Sequence, residues 1–67
     1  MTANLDIWRA AKVLVKEYGD EALLLAARRC DALLANGDVD GERVWRGILR
    51  AVEELRRTER TDGERVN

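Results

Sequence analysis

The chain contains no proline, and up to Leu55 its apolar residues recur at three- and four-residue spacing, interrupted where glycine stands beside an acidic or amide residue. Two such breaks, Gly19-Asp20 and Asn36-Gly37-Asp38, divide it into three periodic segments. Ala, Leu, Arg and Glu fill the intervals, so helix is the default conformation. In the first segment, Asn4 to Tyr18, one face gathers Ile7, Trp8, Ala11, Leu14, Val15 and Tyr18, with Arg9, Lys12 and Lys16 opposite. Gly19 supplies the left-handed residue that commonly closes a helix, and Asp20 is placed to accept from the free amides of the next one.

The second segment, residues 20–36, carries Ala22, Leu23, Ala26, Ala27, Cys30, Leu33 and Leu34 on a wide apolar face, with Leu24 and Leu25 outside it. After Asn36-Gly37, Asp38 and Asp40 are alternative caps for a third segment, residues 41–58. Its stripe is Val44, Ile48, Ala51, Val52 and Leu55, with Trp45 at the edge and Leu49 beyond it. Arg43, Arg46, Arg50, Glu53 and Arg57 cover the other side, which includes the spaced pairs Glu42/Arg46, Arg50/Glu54 and Glu53/Arg57. Beyond Leu55 the apolar pattern stops, and residues 59–67 read as a flexible, disordered charged tail. The expected fold is all-α: a small three-helix domain over residues 1–58, built as a helical hairpin with the first helix laid across it.

At 67 residues such a domain is near the size at which one core is marginal and needs a disulfide, a metal or a partner chain. Cys30 is the only cysteine and there is no histidine, which excludes an internal disulfide and removes the usual zinc ligands. Self-association is the compensation that remains. Twelve basic residues against thirteen acidic give a net charge of -1, so nothing in the overall balance attracts nucleic acid or anionic lipid. Met1 to Leu5 lacks the build of a secretory signal and no apolar run reaches membrane-spanning length, so a cytoplasmic location is expected, with no membrane association.

Four chemistries can be weighed against particular residues. Asn36, Asp38 and Asp40 followed by Gly41 imitate the start of a calcium loop, but the twelfth place holds Gly47 where a bidentate carboxylate is required, and Arg43 fills the eighth. Helix termination and capping explain the same residues. Catalysis by an activated nucleophile has no support, since the chain lacks both histidine and serine, and Cys30 sits on an apolar face where burial would make it inert. No enzyme activity and no cofactor are expected. A phosphate or nucleic-acid contact would use Arg43, Arg46, Arg50 and Arg57, supported by Arg56 and Arg60; the interleaved Glu42, Glu53, Glu54 and Glu59 read instead as a solvated face. The apolar surplus is the fourth. Leu5, Val13, Leu24, Leu25 and Leu49 lie off the inward stripes, and Trp8 and Trp45 are large for so small a core. Trp8, Leu24, Leu25, Trp45 and Leu49 are therefore the expected interface of a homodimer or of a larger protein partner.

The pattern Tyr18-Gly19-Asp20-Glu21-Ala22, then Ala26-Ala27-Arg28, Leu33-Leu34-Ala35-Asn36-Gly37-Asp38, Gly41 to Trp45-Arg46, Ile48, Ala51 and Glu54-Leu55 resembles a set of short uncharacterised bacterial proteins, mainly alphaproteobacterial. The resemblance spans nearly all the chain up to the tail, and its motifs are helix caps and core positions. It implies a stand-alone helical domain of unknown function and carries over no site residue.

Overall fold

The structure, a computed structural model, describes residues 4–65, with side chains through residue 58. Helix α1 spans Asn4–Tyr18, a single 3-10 turn covers Gly19–Glu21, α2 spans Ala22–Ala35 and α3 spans Val39–Arg65, with no strand among the described residues. The all-α class, the three helices and the breaks at Gly19 and Gly37 hold as expected.

The corner between α2 and α3 is closed by backbone geometry that the sequence spells out. Gly37 has φ +76°, a left-handed conformation that costs glycine nothing. Its N–H donates to the Leu34 carbonyl at 3.0 Å, and that of Asp38 donates to the Leu33 carbonyl at 2.9 Å. These two bonds satisfy the last carbonyls of α2 in a Schellman motif. Asp38 then changes role: its Oδ1 accepts from the Gly41 N–H at 2.9 Å, which makes it the N-cap of α3. Asp38 is thus the cap and Asp40 is not, and α3 begins at Val39, before the expected start at 41.

At the other corner the expectation for Asp20 fails. No side chain caps α2; the Asp20 carboxylate instead accepts from Arg56 Nη2 of α3 in an exposed ion pair. Residues 19–21 are wound into a 3-10 turn, whose tight spacing supplies local partners for the amides that a cap would otherwise serve. Since Asp20 meets Arg56 while Arg29 lies over Trp45, α2 and α3 run antiparallel, as a hairpin does.

α3 is the scaffold: α1 and α2 each pack on it and touch one another little. The core gathers Ala11 of α1, Ala22 of α2, and Ile48, Ala51 and Val52 of α3. Alanine predominates because it lets three backbones approach closely, and Gly47 extends the same logic: a Cβ there would lie 3.1 Å from Ile7 Cδ1. The cost of this close packing is a small apolar payload, with Val52 the one large side chain buried completely among the described residues.

Past residue 58 the helix runs on to Arg65, where the sequence reading ended it. The Thr58 hydroxyl donates to the Glu54 carbonyl at 3.0 Å, a back-bond to the preceding turn that shows the chain is still helical at Thr58. No proline stops the chain, and its Glu and Arg residues favour helix even without an apolar stripe. The expected flexibility of residues 59–67 concerns side chains, and at 66–67 also backbone, that lie outside the described residues. No helix among those described is long and apolar enough to cross a membrane.

Candidate interaction surface

An open groove of about 700 Å³ lies on the side where α1 ends and α2 begins, lined by apolar Leu14, Tyr18, Leu24, Leu25, Ala32 and Trp45. Three charged residues, Glu21, Arg28 and Arg29, complete it. Leu24 is 52% exposed and Tyr18 48%, while Leu14, Leu25 and Trp45 are half-buried and form the floor. The Arg29 guanidinium lies 5.6 Å from the Trp45 ring centre, within range of a cation–π contact that holds one wall in place.

Of the five expected interface residues, the groove unites Leu24, Leu25 and Trp45. Trp8 lies elsewhere, 37% exposed, in a shallower depression of about 390 Å³ with Asn4, Ile7, Gly47, Arg50, Ala51 and Glu54. α1 turns Ala10 and Leu14 rather than Trp8 toward the core, so the two indoles occupy separate surfaces. Leu49 is half-buried and lines neither concavity.

Tyr18 and Leu34, both placed by periodicity on inward stripes, are exposed. Each stands at the end of its helix, where the stripe runs past the neighbour that should cover it. Leu5 and Val13 are exposed as expected. The groove's charged members lie outside the expected interface, although the spacing Glu21, Leu25, Arg28, Ala32 is a helical stripe legible in the sequence.

The arginine face is largely occupied by its own helix. Arg46 donates from Nε at 3.0 Å and Nη2 at 2.6 Å to Oε2 of Glu42, and Arg57 stands 3.4 Å from Glu54 Oε2. Arg43 and Arg50 are exposed, Arg50 beside Glu54 at the Trp8 depression. A phosphate would compete with these carboxylates at Arg46 and Arg57, which weakens the case for that face.

Glu42 holds a second surprise, for it is only 7% exposed. It is one turn past the α3 cap on the side that meets α2, and Arg46 satisfies its buried oxygen, as a buried carboxylate requires. Cys30 of α2 is close enough to feel it. Burial first, and the Glu42 carboxylate second, push the Cys30 thiol above its ordinary pKa, with Arg46 acting the other way. A thiol so placed is a weak nucleophile at neutral pH. Among the described residues no three carboxylate, thiol or imidazole side chains gather as metal ligands. No family model, curated protein or solved structure matches the chain.

Proposed function

We propose that this protein is a small helical protein–protein interaction module that acts as a homodimer, with no catalytic role, and that the groove of Leu14, Tyr18, Leu24, Leu25 and Trp45 is the surface it buries. One observation carries the reading: Leu24 stands half-exposed at the rim of an apolar groove, next to a half-exposed Tyr18. Scattered single leucines at a surface are ordinary, but a contiguous set with an aromatic floor marks a contact. The thin alanine core supports the same conclusion from the side of stability. The same reading puts the protein in the cytoplasm, where Cys30 remains a thiol, and among the short bacterial helical proteins that its caps and core positions resemble.

Sedimentation velocity over a concentration series tests it. The unaltered chain is expected to dimerise, and Leu24→Glu, which sets two carboxylates into the shared apolar contact, is expected to weaken the dimer by about a hundredfold or more while leaving helical circular dichroism in place. A chain that stays monomeric up to millimolar concentration refutes the reading. A sequence-independent, steeply salt-sensitive association with DNA would move the function to Arg43 and its neighbours.

A further inference from the structure

The groove face of α2 has an internal symmetry. Glu21, Leu25, Arg28 and Ala32 follow one another at intervals of four, three and four residues, so they form one stripe, opposite the buried Ala22, Ala26 and Cys30. Glu21 ends the 3-10 turn as the N-cap residue of α2, with φ -85° and ψ -7°, and it lines the same groove as Leu25, Arg28 and Ala32. Measured from the midpoint between Leu24 and Leu25, Glu21 and Arg28 are equally distant along the helix. They are two turns apart, about 10 Å along the axis, too far to pair within one helix. Among the described residues neither forms an ion pair. The neighbouring Arg29 is already engaged over Trp45, which leaves Arg28 as the cation available at this rim.

We propose that the second copy docks with its α2 antiparallel to the first, about a twofold axis between Leu24 and Leu25, so that Glu21 of each copy pairs with Arg28 of the other. This inference rests on the self-association reading above. An antiparallel twofold brings equidistant positions face to face: Leu24 meets the partner's Leu25, and the acid–base pair is made twice. A parallel arrangement would set glutamate on glutamate and arginine on arginine, so the charges select one orientation. Leu24, the most exposed apolar side chain of the stripe's edge, then enters the space between the partner's Leu25, Tyr18 and Trp45. A second copy satisfies the stripe because it is its own complement: acid at one end, base at the other, leucines between.

Charge reversal tests the register. In low-salt sedimentation equilibrium of the full chain, Glu21→Arg and Arg28→Glu are each expected to weaken the dimer about tenfold, because each sets like charges together twice. The double variant E21R/R28E is expected to return to within about twofold of the unaltered affinity. Single variants without effect, or a double variant as weak as the two losses added, overturn the antiparallel register. If Leu24→Glu still dissociates the dimer in that case, the groove remains the interface and only its geometry is wrong. If Leu24→Glu is also silent, both proposals fall together.

Discussion

Asp38 shows how much one carboxylate can decide. It follows the left-handed Gly37 and accepts from the Gly41 amide, so the same residue completes the end of α2 and opens α3. Losing that cap should cost about 1 kcal/mol, which in a domain of this size lowers the melting temperature by about 4–8 °C. Asp38→Ala is expected to show that loss in thermal circular dichroism, whereas Asp38→Asn, which caps as well, should stay close to the original. Equal melting of all three would mean that the Schellman bonds alone fix the corner. Both Asp38 and Asp40 were legible as candidate caps; the choice between them was not, because it depends on where Gly37 leaves the chain pointing. The capping expectation for Asp20 fails for a related reason. Its partner, Arg56, is distant in sequence, and local capping rules do not see across the hairpin. Glu42 was legible as a partner for Arg46 but not as a buried group, since its burial comes from the approach of α2.

Between elements, the closest approach is made where α1 crosses α3 at Gly47. Here two effects compete. Alanine in the middle of a helix is favoured over glycine by about 1 kcal/mol, but its Cβ would lie 3.1 Å from Ile7 Cδ1 and that methyl must shift by a few tenths of an ångström. Ile7 borders the open Trp8 depression, so its tip has room to move, and the propensity gain should win. Gly47→Ala is expected to stabilise the fold by about 0.5 kcal/mol, raising the melting temperature by about 2–4 °C. A lower melting temperature would show that α1 sits rigidly on α3 and that close packing outweighs helix propensity. The helices themselves were readable because Gly19 and Gly37 interrupt a clear 3.6-residue period. The end of α3 was not, because between residues 56 and 65 the period has no apolar side chains to mark it, while Arg and Glu keep the backbone helical to Arg65. Rotation of a helix about its axis is equally hard to read: Trp8 and Ala10 flank the α1 stripe, and packing on α3 favours the smaller one.

For the molecule as a whole, the question is what completes a core in which alanine is the commonest buried residue. The surplus of apolar surface was legible as composition, but its distribution was not: which leucine shares a concavity with which indole depends on three helix orientations at once, and so Leu24, Leu25 and Trp45 meet while Trp8 and Leu49 stand apart. If the groove is closed by a second copy, stability and assembly become one equilibrium, and melting must depend on concentration. Unfolding two chains together releases about 0.28 kcal/mol/K of entropy, and each tenfold rise in concentration adds about 1.4 kcal/mol per dimer, so the melting temperature should climb by up to about 5 °C per decade. Leu24→Glu should flatten that slope, since its chains melt singly. Added salt should lower the curve only slightly, because the apolar contact supplies most of the free energy and the exposed Glu21–Arg28 pairs contribute little beyond orientation. A melting temperature that stays constant across two decades of concentration would mean that the alanine core suffices by itself, and the exposed Leu24 would then need a different partner.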